Sequence, residues 1–397
     1  MAPPQKVIEI APKVYWVGVE DFHRRLFDAL ITMPYGTSYN AYLVVGDKKV
    51  ALIDTVNPGF EKELLAKVSS LIKPEGIDYL IMNHAEPDHA GAIPQVMAEA
   101  KQAKLVATKR GGEMAGVFYA VPEERRLVVK EGDTLDLGGK TLRFIDAPWL
   151  HWPETMFTYC PEERVLFPCD FFGSHIASDR LFDDEVGDIL LPEAKRYYAE
   201  IMMPFGRMVE QGLDKAAALK AKIIAPSHGP IHRNPQRILG AYEKWSRGPL
   251  AQKALIIYVS MWGSTQRLAQ AITRAISTEG VEAIPYDLPF ADISHIARDL
   301  VDAAAVVVGS PTVLGGPHPL ALYALTLVKA LRPRVKLAAV FGSYGWGGGG
   351  CAQIKNLMAG MEILDTLEIK GPPGEKEFES AAGLGRKVAQ RIKEIAR

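Results

Sequence analysis

The stretch Asn83-His84-Ala85-Glu86-Pro87-Asp88-His89-Ala90-Gly91 follows the short apolar run Tyr79-Leu80-Ile81-Met82. Four side chains of metal-ligating type, His84, Glu86, Asp88 and His89, stand within six residues. Pro87 and the short spacing exclude a regular helix face, so these side chains are expected to fan out from a loop at a strand's end. Imidazole and carboxylate donors converging there suit a first-row metal. A solvated polar loop is the bland alternative, and three further segments weigh against it. Leu150-His151-Trp152-Pro153 follows an apolar strand at 142–148, Cys169-Asp170-Phe171-Phe172-Gly173 one at 164–168, and Pro226-Ser227-His228-Gly229 one at 222–225. Each puts one ligand-type residue past the carboxyl end of a short strand, where open α/β folds gather their sites.

The expected metal ligands are therefore His84, Glu86, Asp88, His89, His151, Asp170 and His228. Seven donors exceed the four positions of one tetrahedral zinc, so two ions sharing a carboxylate are implied. Three carboxylates give a charge of about −3 against +4 for two divalent ions, which leaves room for a bridging hydroxide. The absence of thiolate argues against copper(I) and iron–sulfur clusters; nitrogen and carboxylate donors suit iron or manganese, and zinc is allowed on charge. Cys169 reads as a small buried residue. His175 is a candidate to orient a ligand, with a surface position as its alternative. Tyr197 or Tyr198 is a candidate hydroxyl near the metals or a helix-packing aromatic.

Ser246-Arg247-Gly248-Pro249 reads as a joint, so domains are expected at 1–249 and 250–397. Beyond it a strand–loop–helix pattern repeats, with apolar runs at 254–259, 304–308 and 337–341 and amphipathic helices at 267–279 and 378–396. This alternation implies a parallel sheet with helices on both faces. The loop after the first strand, Ser260-Met261-Trp262-Gly263-Ser264-Thr265, offers hydroxyls and free N–H groups at a helix start, which suits a phosphate. No lysine follows a glycine in the manner of a nucleotide triphosphatase. Two later loops join it: Pro311, Thr312, Val313, Leu314 and Gly315 after one strand, and Ser343, Tyr344, Gly345 and Trp346 after another. Trp262, Tyr344 and Trp346 are suited to stack on a flat ring. The run Gly345-Trp346-Gly347-Gly348-Gly349-Gly350 formally contains GxGxxG, but it sits on a late strand, so a dinucleotide fingerprint is discounted.

Composition agrees with this reading. In 397 residues, 46 Lys and Arg face 47 Asp and Glu, for a net charge of −1, with 48% apolar and 23% charged residues. Such a balance is that of an ordinary globular chain and disfavours nucleic-acid or membrane-surface binding. No apolar run reaches the ~20 residues of a membrane span. The start Met1-Ala2-Pro3-Pro4-Gln5-Lys6 has no apolar core, so no signal peptide is expected. Three cysteines without a CxxC pair argue against a disulfide scaffold or a built-in rubredoxin-type centre. The expectation is a soluble, cytoplasmic protein.

The His-x-Glu-x-Asp-His run, followed by lone His151, Asp170 and His228, resembles the metallo-β-lactamase fold. Hydrolases of that fold carry His-x-His-x-Asp-His; Glu86 stands here at the second histidine. That exchange looks like the flavodiiron proteins (A-type flavoproteins), and the three loops of the second half resemble the flavodoxin pattern, which implies FMN. The resemblance covers about residues 5 to 395 in the family's domain order. It implies an αββα sandwich followed by a flavodoxin-like doubly wound sheet. One iron would be held by His84, Glu86, His151 and bridging Asp170, the other by Asp88, His89, Asp170 and His228. The implied activity is reduction of dioxygen to water or nitric oxide to nitrous oxide. FMN would relay electrons from a separate donor, usually rubredoxin, in a head-to-tail homodimer or a dimer of dimers. Many members have Arg-x-Phe-His near the amino terminus; Arg25-Leu26-Phe27-Asp28 puts Asp28 at that histidine, with His23 upstream. The rival readings are a dinuclear zinc hydrolase with a flavin regulatory domain, and an electron carrier with a structural metal site.

Overall fold

The structure, a computed structural model, describes residues 7–396. Residues 1–6, on which the expectation of no signal peptide rests, lie outside them. The chain divides into two compact units at Ser246 and Arg247.

The first unit is built on two sheets. A seven-stranded sheet runs in the order Ile8–Ala11, Val14–Trp16, Tyr42–Val45, Val50–Ile53, Tyr79–Ile81, Lys104–Thr108, Arg126–Val129. A five-stranded sheet runs Thr134–Asp136, Thr141–Asp146, Met156–Cys160, Val165–Phe167, Ile223–Ile224. Successive strand residues point to opposite faces, which explains how short all-apolar runs serve two cores. Val44, Ile53, Ile81 and Val106 pack with Leu142, Phe144, Met156, Val165 and Phe167 of the second sheet. Their neighbours Leu43, Leu52, Leu80 and Leu105 face the other way, onto Leu64 and Val68 of helix Glu61–Ser69 and Ile93, Val96 and Met97 of helix Ile93–Glu99. Behind the second sheet Phe157 stacks on Phe171, which meets Tyr242 of helix Pro235–Ser246. Helix, sheet, sheet, helix is the expected αββα sandwich.

Some expected elements differ in detail, each for a local reason. The runs at 14–19 and 39–45 break at Gly18 and at Asn40-Ala41. A Cβ on Gly18 would lie 2.5 Å from the Tyr39 carbonyl oxygen, so only glycine lets these segments touch. The break frees Asn40, whose amide donates to the Pro226 and Gly229 carbonyls at 2.8 Å each and pins the His228 loop. Residues Pro87–Ala90 form one helical turn rather than a loop. Pro87 opens that turn, where a helix has no use for the missing N–H.

In the second unit five parallel strands run in the order Glu282–Asp287, Ala251–Tyr258, Ala303–Val313, Leu337–Tyr344, Glu362–Lys370. By chain order this is 2-1-3-4-5, the flavodoxin-like arrangement whose order reverses between the first and third strands. Helices Ser264–Thr278 and Glu375–Ile395 cover one face through Leu268, Ile272, Leu384, Val388 and Ile392. The other face is covered by Ile293–Leu300 and Pro319–Leu331. The strands expected to end near 308 and 341 continue through Val313 and Tyr344, with Pro311 paired to Ser343. Small polar residues hide this extension from an apolar-run reading, because central ladders pair backbone and not side chains.

Candidate functional site

At the strand-end edge of the first unit, ligand atoms of His84, Glu86, His151 and Asp170 lie within 4.8 Å of one another, and so do those of Asp88, His89 and His228. Asp170 stands between the groups. Its Oδ2 is 3.5 Å from His84 Nε2 and 3.3 Å from His151 Nε2; its Oδ1 is 2.9 Å from His89 Nε2 and 3.5 Å from His228 Nε2. Glu86 Oε2 completes the first group at 3.1 Å from both His84 and His151. Asp88 completes the second at 3.3 Å from His89 and 3.2 Å from His228. Donors ~2.1 Å from one ion stand about 3.0–3.4 Å apart for right-angle to tetrahedral geometry, and these spacings match. Both Asp170 oxygens, Asp88 Oδ1 and His89 Nε2 are buried without an aligned hydrogen-bond partner. A pair of cations is what this donor set fits.

Two imidazoles are oriented from behind. His228 Nδ1 lies 2.7 Å from the Ser38 carbonyl, which can only accept, so the hydrogen sits on Nδ1 and Nε2 is free for a metal. His84 Nδ1 donates to Glu154 Oε1 at 2.7 Å, which turns Nε2 toward Glu86 and Asp170. The carboxylates dominate the field. Burial alone would lower the histidines, yet Glu154 and Glu86 push His84 up to about 9, and Asp170 and Asp88 push His89 up to about 9. Asp170 and Glu86 push His151 up to about 10. Burial works against ionised Asp88 and Asp170, but His89 above all holds both carboxyls well below the usual range. Positive charge is favoured here.

At the corresponding edge of the second unit, a cavity of about 360 Å³ is lined by Ser260, Met261, Trp262, Ser264, Thr265, Pro311, Thr312, Val313, Leu314, Ser343, Tyr344, Gly345, Trp346, Gly371 and Pro372. It lies at the point where strand order reverses, the ligand position of open α/β sheets. Helix Ser264–Thr278 starts on Gly263 with no side-chain cap, so its first N–H groups suit a phosphate. Trp262 and Trp346 are 89% and 97% exposed, flat apolar walls at the rim.

The chain matches the ODP family beta lactamase over residues 37–229 and the flavodoxin family over 256–385. It is 39% identical over 395 residues to a nitric oxide reductase of Moorella thermoacetica, covering 97% of this chain and 98% of that protein. The chain belongs to the flavodiiron proteins. Two solved structures agree with this. The rubredoxin oxygen:oxidoreductase of Desulfovibrio gigas has a TM-score of 0.94 at 31% identity, covering 98% of this chain and 99% of that one. The flavodiiron protein of Giardia intestinalis has 0.94 at 30%, covering 98% of each. The Moorella and Desulfovibrio proteins are oxidoreductases by name, and the zinc hydrolase alternative finds no support among the three.

In this flavodiiron protein the remaining candidates fall around a second cavity of about 200 Å³, lined by Arg24, Phe27, Asp28, Glu86, Asp88, His175 and His228 among others. Asp28 sits on a tight turn at φ +47°, its carboxyl raised by burial and by Glu86. His175 is buried, with its ring 5.0 Å from that of His228 and its Nδ1 3.0 Å from Thr37 Oγ1. Burial pushes His175 well down, so it is neutral. Tyr197 does not line the cavity but packs 4.9 Å from the His175 ring. Gly263 and Gly315 do not line the flavin cavity either; both take positive φ and shape its turns.

Sequence reasoning missed several supporting residues. Asp54 accepts from the Asn83 backbone and side chain at 2.8 and 3.0 Å, and Thr158 donates to Asn83 at 2.7 Å, which fixes the start of the His84 loop. Glu154, Thr37, Ser38, Gly371 and Pro372 were also unmarked. Only Asp54, a lone carboxylate closing an apolar strand, and the Gly371-Pro372-Pro373 turn carried a local signal.

Proposed function

We propose that this flavodiiron protein reduces dioxygen to water, nitric oxide to nitrous oxide, or both. The unit ending near 249 would hold two iron ions, and the unit from 250 onward would hold FMN. The observation that carries this reading is the division of Asp170: one carboxylate oxygen turned to His84 and His151, the other to His89 and His228. His84, Glu86, His151 and Asp170 would bind one iron, and Asp88, His89, Asp170 and His228 the other. When bound, the irons supply open redox positions for a diatomic gas, and FMN supplies electrons to them in single steps.

Other residues manage position and protons. Ser38 and Glu154 keep His228 and His84 turned with Nε2 toward the carboxylates, where each would meet an ion. Neutral His175 is held by Thr37, whose Oγ1 lies 3.0 Å from its Nδ1, while its Nε2 is buried with no protein partner beside the cavity the residue lines. Asp28 holds its proton more firmly than an ordinary aspartate beside the same cavity, suited to a reaction that consumes protons. Burial and the nearby Asp170 charge keep the Tyr197 hydroxyl protonated, and its ring holds His175 in place.

For FMN, the 260–265 segment would take the phosphate, while Trp262, Tyr344 and Trp346 flank the ring. The donor would be rubredoxin or a similar small redox protein, a reading supported by the name of the Desulfovibrio gigas relative. A homodimer or dimer of dimers is supported by the exposed apolar rim of Trp262, Leu314 and Trp346. The described residues contain no helix long and apolar enough to cross a membrane. Three free buried cysteines fit a reducing cytoplasm.

Anaerobically reduced protein, mixed in stopped flow with oxygen and with nitric oxide, tests the function. Flavin absorbance should recover with one or both gases in protein carrying two irons per chain. Full zinc occupancy in iron-replete cells, or reduced protein inert to both gases, would refute it.

A further inference from the structure

The glycine run at 347–350 has no role in the reading above, and the start of helix Gly350–Leu357 explains it. Gly349, at φ +108°, cannot cap this helix with a side chain. The cap comes from elsewhere in the sheet. Glu368, on the edge strand Glu362–Lys370, accepts from Gly349 N at 3.0 Å and Cys351 N at 3.3 Å through Oε1, and from Gly349 N at 3.2 Å through Oε2. Thr312 Oγ1 accepts from the intervening Gly350 N at 3.2 Å and lies 3.5 Å from Glu368 Oε1. Three successive orphan N–H groups of the helix start are thus satisfied by two other strands.

Sequence makes room for this clamp. Glu368 is paired with Gly342, where an added Cβ would lie 2.3 Å from the Ser310 carbonyl oxygen and 2.8 Å from Cys351 Sγ. A Cβ on Gly348 would lie 3.0 Å from Glu368 Oε2 and 3.2 Å from the Tyr344 ring. Only bare backbone brings the 344–350 loop down onto the carboxylate. The loop is held at Tyr344 by the sheet and at Gly349–Cys351 by Glu368, with exposed Trp346 between the two anchors.

We propose that Glu368 is a positioning residue of the flavin cradle: it fixes the 344–350 loop, and with it Trp346 and Gly345, in the shape that receives the flavin ring. It also cancels the positive end of helix Gly350–Leu357, so that reduced flavin, which is anionic, gains no stabilisation from that end. The inference rests on the FMN reading above.

The test uses full-length apoprotein titrated with FMN by flavin fluorescence, together with the midpoint potential of the bound flavin. Glu368→Ala should weaken FMN binding about tenfold and Glu368→Gln, which keeps one acceptor, by less. Both should shift the potential positive. Glu377→Gln is the control, since Glu377 caps helix Glu375–Ile395 through Gly374 N at 2.9 Å and does not line the cavity; it should change neither readout. If Glu368→Ala does not fold, Glu368→Gln decides. Binding within about twofold of wild type with an unmoved potential overturns the inference. An equal loss in Glu377→Gln, or failure of Glu368→Gln to fold, also overturns it. Weaker binding with an unmoved potential upholds the positioning role and overturns the charge effect. Wild-type protein that takes up no FMN refutes the FMN reading instead.

Discussion

Glu154 Oε1 sits 2.7 Å from His84 Nδ1 and also accepts the Ala85 N–H at 2.9 Å, so one buried carboxylate sets both the tautomer of a metal-facing imidazole and the backbone beside it. The two residues are 70 apart in sequence. Replacing Glu154 by glutamine keeps the volume and removes the charge behind His84. Iron affinity should fall about 10–100-fold, read by competition with a chelator of known strength; unchanged affinity would show that His84 needs no such support.

Asp170 serves both donor groups, so Asp170→Asn should cost more than the loss of any single imidazole. Iron content is expected to fall below one per chain and gas-driven flavin reoxidation to slow about a hundredfold, while FMN stays bound. Two irons retained at full rate would mean that the carboxylate does not bridge.

Metal uptake has a proton signature. His84 and His89 are raised to about 9 and His151 to about 10, so all three carry protons at pH 7 in the metal-free protein. An incoming cation must displace them, which makes affinity fall as pH falls below 9. Calorimetric titration of iron(II) in buffers of different ionisation enthalpy should give about three protons released per chain at pH 7. Release of less than one would contradict the raised values.

Asp28, which the sequence resemblance sets at a histidine position of the family, lines the cavity shared by Glu86, Asp88 and His175. Asp28→His exchanges a carboxyl for an imidazole there, and the ratio of oxygen to nitric oxide reduction rates should move by at least about threefold. A constant ratio would remove this residue from gas selection.

Glu20 gives a pH-dependent stability. Burial pushes its carboxyl up to about 8 against an ordinary 4.5, while it accepts from Ser178 N at 3.0 Å. The folded chain therefore binds this proton more tightly than the unfolded chain between pH 4.5 and 8, and stability falls as pH rises through that window. Glu20→Gln abolishes the decline, so its stability relative to the wild type should be greater at pH 9 than at pH 5 by up to about 4 kcal/mol. Thermal unfolding of the two proteins at both pH values checks it; parallel profiles would argue against the shift.

The fold class was legible because its signals are local. Apolar runs followed by lone His, Asp or Glu mark strand ends, and strand–loop–helix repetition marks a parallel sheet. Where local signals mixed, detail was lost. Pro87 hid a helical turn that its own missing N–H permits, and the polar tails of two central strands hid ladder pairing that belongs to the backbone.

Sequence alone determined which donor chemistries exist in this chain and that they lie at strand ends, since residue type and hydrophobic period are written in neighbouring positions. Only the tertiary structure decided that Asp170 turns one oxygen to each donor group, that Thr37 and Ser38 reach His175 and His228 across 138 and 190 residues, and that Glu368 caps a helix it does not belong to. Those contacts join segments distant in the chain, and their geometry comes from how the sheets stack and register, which no local pattern encodes.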